Sequence, residues 1–175
     1  MNKIFGLSLG LVLFLSGCAA SSPGFVSPQR LAAFNQNSVS VEITLQQDAH
    51  QNFFLTAIFT PESGDHLYSK DIPRNGLYGE GRPTLLELTP QSGMRSIGEL
   101  TTTAVSEVTS MGSDALLVYP AGPVTLRQQV SLPPGTGWYY DQVSVTYMAC
   151  TDTTCKTPVV GRIVRVYLPR MGQFQ

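Results

Sequence analysis

Apolar and polar residues alternate strictly over residues 39–46. Val39, Val41, Ile43 and Leu45 fall on one face, and Ser40, Glu42, Thr44 and Gln46 on the other. A period of two with one apolar face predicts a half-buried strand. Residues 124–132 repeat the pattern, with Val124, Leu126, Val130 and Leu132 set against Thr125, Arg127, Gln129 and Ser131. In residues 142–149 the apolar face is Val143, Val145, Tyr147 and Ala149. Residues 53–60 are apolar and aromatic on both faces, which predicts a more central strand. Residues 84–89, 115–119 and 162–168 are shorter strand candidates, and 100–108 is read as strand on a weaker pattern. Turn chemistry separates them, in Pro61-Glu62-Ser63-Gly64-Asp65 and in Pro133-Pro134-Gly135-Thr136-Gly137. Residues 71–83 hold Pro73, Gly76, Gly79, Gly81 and Pro83 and read as a loop.

Short strands at this spacing, with turns between them, predict an all-β fold, a two-sheet sandwich of immunoglobulin-like type over residues 38–170. Residues 171–175 follow as a C-terminal tail. Residues 18–37, rich in Ala, Ser, Pro and Asn, read as a flexible tether with one short helical turn around Leu31-Ala32-Ala33-Phe34. There is no repeat, no heptad pattern and no long amphipathic helix.

The first 17 residues are different. Lys3 precedes an apolar run over residues 4–15, followed by Leu15-Ser16-Gly17-Cys18. A basic start, a short apolar core and small residues at its end predict a secretory signal peptide. The run is too short to span a bilayer, which takes roughly 20 residues. Leu-Ser-Gly-Cys resembles a bacterial lipobox. That resemblance implies cleavage before Cys18 and acylation there, an anchor of several acyl chains that holds where one alone would be marginal. Ala19, rather than an aspartate, follows Cys18. By resemblance to sorting in Gram-negative bacteria, this implies the outer membrane, facing the periplasm. Loss of the leader removes Lys3 and no acid, so the formal charge moves from −1 to −2. A near-neutral surface gives no footprint for nucleic acid or acidic lipid.

Cys18 aside, two cysteines remain, Cys150 and Cys155, in a chain expected in an oxidising compartment. The strand predictions place them where one strand ends and its neighbour begins. Thr151-Asp152-Thr153-Thr154 is able to turn the chain back and bring the two Cα atoms within disulfide range. Two readings stay open at this point, a local structural staple and a redox centre. Stabilisation by a cross-link grows with the logarithm of the loop it closes, and four intervening residues make a very short loop. Exposure in such a loop favours exchange, and the positive charge of Lys156 beside Cys155 favours a thiolate.

Tyr147-Met148-Ala149-Cys150, four residues, Cys155 and then Pro158 together resemble the N-terminal periplasmic domain of the DsbD thiol:disulfide interchange proteins. Three other segments resemble that domain in the same order. They are Pro61-Glu62-Ser63-Gly64-Asp65-His66-Leu67-Tyr68, then Gly81-Arg82-Pro83-Thr84, then Tyr119 with Gly122 and Val124. The likeness covers roughly residues 39–168. It implies an immunoglobulin-like sandwich and a cysteine pair that passes electrons between proteins, with thioredoxin-like periplasmic proteins as partners. It implies that Cys155 forms the mixed disulfide and Cys150 resolves it. Tyr68 and His66 would lie beside the pair. Residues 114–119 (Asp114, Leu116, Leu117, Val118 and Tyr119 among them) would be a cap over the sulfurs. The better-known members carry acidic residues and a phenylalanine in that cap, where this chain has Ala115-Leu116-Leu117-Val118. They also continue into a multi-helix membrane domain and a thioredoxin domain. These 175 residues hold neither, so the electron donor is expected to be another protein.

Other chemistry is thin. His50 and His66, the only histidines, read as loop or surface residues, and no His, Cys, Asp or Glu grouping has metal-site spacing. Gly79-Glu80-Gly81 lacks the strand-to-helix context of a nucleotide site, and no Gly-x-Ser-x-Gly elbow is present. Trp138-Tyr139-Tyr140 reads as sandwich core or strand edge. The expectation is a module with no cofactor, no metal and no small-molecule substrate. The alternative is a non-catalytic envelope-binding or assembly lipoprotein that keeps the pair as a staple.

Overall fold

The structure, a computed structural model, describes residues 26–77, 79–109 and 116–174. The leader, Cys18, Asp114 and Ala115 lie outside the described residues. The strands in chain order are β1 (Val26–Gln36), β2 (Val39–Gln47), β3 (Phe53–Pro61), β4 (His66–Leu67), β5 (Leu85–Leu88) and β6 (Arg95–Thr102). They continue with β7 (Glu107–Thr109), β8 (Leu116–Val118), β9 (Val124–Ser131), β10 (Trp138–Tyr147), β11 (Ala149–Cys150) and β12 (Val159–Pro169). A five-stranded sheet runs β1-β2-β3-β9-β6, and a three-stranded sheet runs β12-β10-β5. Within each sheet every pairing is antiparallel. Two short ribbons, β4–β11 and β7–β8, complete the set. The molecule is an all-β, immunoglobulin-like sandwich.

The alternation read from the sequence is what packs the two sheets. β9 buries every second residue, and β2 and β3 turn Val39, Val41, Ile43, Phe53, Leu55, Ala57 and Phe59 to the same interior. Val143, Val145 and Tyr147 of β10 and Val164, Val166 and Leu168 of β12 meet them from the other sheet. Phe59 and Tyr147 pack edge to face across this interior at 5.6 Å. Each such side chain contributes about 1.5–3 kcal/mol on burial. As predicted, β3 is central, flanked by β2 and β9.

The N-terminal part of the domain corrects the sequence reading. Where residues 18–37 were expected to be a tether with a helical turn at Leu31-Ala32-Ala33-Phe34, β1 runs through Val26–Gln36 and pairs with β2. Two register shifts, at Val26/Gln29 and Arg30/Ala32, explain why the strand was hidden. A bulge adds a residue and breaks the period of two on which the prediction depends. Asn37 and Ser38 then turn the chain with φ of 51° and 64°, the left-handed pair of a two-residue hairpin. This turn is tied to the other sheet. The Tyr147 hydroxyl donates to the Gln36 carbonyl at 3.1 Å, the Asn37 amide donates to the Thr157 carbonyl at 2.7 Å, and Arg162 donates to the Gln36 side chain while stacking on Phe34.

Two other stretches differ in detail. The strand expected over 100–108 is divided, with β6 ending at Thr102 and β7 starting at Glu107. β6 is an edge strand with no buried face, and its register shifts between Ile97 and Thr101, around Gly98 at φ 68°. The residues read as a C-terminal tail include a 3-10 turn, Met171–Phe174. It is pinned by Met171 and Gly172 N–H groups donating to the Pro133 and Gly135 carbonyls.

Candidate functional site

β10 ends at Tyr147, and after Met148 the chain re-pairs as β11 with β4, setting Ala149 opposite Leu67 and Cys150 opposite His66. The chain then reverses. The Thr151 hydroxyl accepts from the N–H groups of Thr153 and Thr154 at 3.3 and 3.0 Å, and the Thr151 N–H donates to the Thr154 carbonyl at 2.8 Å. This is the local hydrogen bonding that lets Thr compete for turns. It returns Cys155 to Cys150, and the two form a disulfide with Cα atoms 4.0 Å apart. The Lys156 N–H donates to the Ala149 carbonyl at 2.8 Å and closes the loop from behind. Pro158 follows, and β12 starts one residue later at Val159, three residues before the strand read from the sequence over 162–168.

The two sulfurs sit in different surroundings. Cys150 is 1 % exposed and packs with Tyr68, Ile72 and Leu116 in a small cluster apart from the main core. Cys155 is exposed. The Tyr68 hydroxyl donates to Cys150 Sγ at 3.3 Å and lies 3.8 Å from Cys155 Sγ. Burial, reinforced by the negative charge of Glu80, pushes the Tyr68 phenol above its ordinary value, so at neutral pH it is a proton-bearing donor.

Tyr68 is held from several sides. Thr84 donates both its hydroxyl and its N–H to the Tyr68 carbonyl, at 2.7 and 3.2 Å. The flanking backbone groups are bonded to β8 and the residue after it, through Ser69 N–H to the Leu117 carbonyl and Tyr119 N–H to the Leu67 carbonyl. A Cβ added to Gly81 would stand 3.2 Å from two atoms of the Tyr68 ring. Gly81 is thus the close backbone approach that seats this ring.

Of the residues expected near the pair, Tyr68 touches the sulfurs, and His66 is the cross-strand partner of Cys150 with its ring edge-on to Tyr68 at 5.7 Å. Lys156 enters through its backbone N–H. Of the residues expected as cap, Leu116 packs on Cys150 and Tyr68, and Leu117 and Val118 lie partly buried beside that cluster. Tyr119 turns inward instead, 1 % exposed in the main core, with its hydroxyl accepting the Lys70 N–H at 3.0 Å.

A pocket of about 350 Å³ opens beside Cys155. It is lined by His66, the Tyr68 ring, Leu116 and Met148, by Thr151, Thr153 and Thr154 of the turn, and by Gly79, Glu80 and Gly81. The glycine-rich stretch reads from the sequence only as a loop. It is a tight reversal in which Leu77 and Glu80 exchange backbone hydrogen bonds at 3.0 and 2.9 Å. It depends on Gly76 at φ 73°, where a Cβ would fall 1.8 Å from the Glu80 carbonyl oxygen. Arg82 fastens it by donating to the carbonyls of Asn75 and Gly79, each at 2.9 Å, and of Gly81. The dense glycines of 76–81 were the available signal. No group of three or more His, Cys, Asp or Glu residues is arranged to hold a metal among the described residues.

No protein-family model matches this chain, and no curated protein does. Among solved structures, the N-terminal domain of DsbD from Neisseria meningitidis, in the reduced form, aligns over 83 % of this chain and 82 % of its own, with 10 % identity and a TM-score of 0.39.

Proposed function

We propose that this protein is a thiol–disulfide exchange module that carries two electrons between proteins through Cys150 and Cys155. The observation that carries this reading is the asymmetry of the pair. One sulfur is open to solvent at the mouth of a pocket, the other is buried, and a phenol that stays protonated bonds to the buried one. Exchange needs one accessible sulfur for attack and one stabilised leaving sulfur.

The step follows from that arrangement. A thiolate of a reduced dithiol partner attacks Cys155 Sγ. A sulfur–sulfur bond forms between partner and Cys155, the Cys150–Cys155 bond breaks, and its electron pair leaves on Cys150. The Tyr68 hydroxyl stabilises that thiolate by a charge-assisted hydrogen bond. The partner's second thiolate then attacks its own sulfur in the mixed disulfide and releases Cys155 as a thiolate. The partner ends as a disulfide, the module as two thiols, and the two protons originate on the partner's thiols. Run backwards, the same steps let the reduced module pass its electrons on.

The motifs around Cys150 and Cys155 support thioredoxin-like periplasmic proteins as partners. The Leu-Ser-Gly-Cys motif supports lipidation at Cys18 and a place on the outer membrane facing the periplasm. The test is Cys150→Ala in a cell, which leaves Cys155 without its resolving thiol. Mixed disulfides with thioredoxin-like proteins, visible by non-reducing electrophoresis and lost in Cys150→Ala/Cys155→Ala, are expected. Absence of any adduct, with a pair that resists reduction at potentials above about −300 mV, would favour the staple.

A further inference from the structure

The pocket beside Cys155 is larger than the exchange of two sulfurs requires. An apolar cavity of about 150 Å³ accepts a benzene ring, so about 350 Å³ has room for one large side chain and the backbone that carries it. Its apolar wall is fixed before any partner arrives. Leu116 and Tyr68 are 7 % and 6 % exposed and are packed against Cys150. Cys155 lines the same space. Adjacent residues of a chain have Cα atoms about 3.8 Å apart, so a side chain in this pocket belongs to a residue next to, or close to, the attacking cysteine.

Among the described residues that line the pocket, Glu80 is the one carboxylate, His66 the one imidazole, and none is Lys or Arg. The Arg82 guanidinium, next to Gly81, is turned to the carbonyls of its own loop. A negative rim disfavours an acidic thiol and favours a cationic one.

The geometry points to a selected class of reductant: a cysteine-bearing protein segment with a large apolar residue beside its reactive cysteine and a positive charge nearby, in preference to small acidic thiols such as glutathione. This rests on the exchange reading given above. The pocket supplies part of the binding that brings the attacking sulfur to Cys155 rather than leaving the encounter to chance.

The test uses the oxidised full chain and synthetic cysteinyl peptides of matched thiol pKa, with Trp, Gly, Lys or Glu beside the cysteine, together with glutathione. The readout is the second-order rate of reduction of the Cys150–Cys155 disulfide. A peptide with Trp and Lys is expected to react at least about tenfold faster than glutathione or the Gly peptide, the discrimination that one well-filled apolar pocket gives. Met148→Ser is expected to reduce the Trp preference. Glu80→Gln is expected to narrow the gap between the Lys and Glu peptides, and added salt to do the same in the unaltered protein. Equal rates for all peptides, with the disulfide reduced, would overturn the pocket's role and leave exchange standing. Failure of every peptide and of dithiothreitol to reduce the pair would overturn both.

Discussion

Between the two sheets, strands of eight to eleven residues stack Val, Leu, Ile and Phe in register, and the interior is predominantly apolar. At the cysteine corner the strands are two residues long, and the positions are set by single hydrogen bonds and by glycines. The sandwich is held by area, which is additive and tolerant of detail. The corner is held by direction, since Tyr68 meets Cys150 because Thr84, Gly81 and β8 each fix one coordinate of it. The corner lies where little of the global stability is at stake, and the long strands supply the rigid frame on which it sits.

The sharpest test of that contrast is a pair of truncations. Phe59→Ala, in the main interior, should cost about 3–5 kcal/mol, and Leu116→Ala, in the small cluster at the corner, about 2 kcal/mol. Denaturant unfolding measures both. Equal losses would mean that the corner belongs to the same cooperative core. Next in size is reduction of the disulfide, which closes a loop already bonded through Thr151. It should lower stability by no more than about 2 kcal/mol, compared by unfolding with and without reductant, and a larger loss would make the pair a staple.

The smallest effect concerns the Tyr147 hydroxyl, whose phenol burial pushes up to about 12. Below pH 10 the group is protonated in both folded and unfolded chains and contributes no pH dependence. Above pH 10 it ionises first in the unfolded chain, so stability falls as pH rises towards 12. Tyr147→Phe should make that alkaline decline shallower. At pH 7 it should cost about 1 kcal/mol through loss of the bond to Gln36. An unchanged alkaline profile would show that other groups govern it.

What the sequence made legible follows the same division. β2, β9 and β10 announce themselves because burial imposes a period of two on their residues, and β3 does so as an apolar run. β1 did not, because its two register shifts break that period, and β6 was misplaced because an edge strand with no buried face leaves no pattern. At the site, the cysteines and Tyr68 were identifiable from motif spacing. Glu80 was not, because it lines the pocket beside Cys155 through folding of a separate loop and not through any local pattern. Tyr119 was placed in the cap by the family resemblance, but its side chain, directly after β8, is turned to the interior.

One consequence of β1 concerns orientation. Its Gln36 end is clasped by Tyr147, Arg162 and, through Asn37, by Thr157, two residues beyond Cys155. Its Val26 end pairs with Gln47 at the far end of β2, roughly 30 Å away at the rise of an extended strand. The chain therefore enters the sandwich at the pole opposite the sulfurs. Any surface that held this protein by residues preceding Val26 would stand behind the domain, with the cysteine corner turned outward, at the full reach of the molecule.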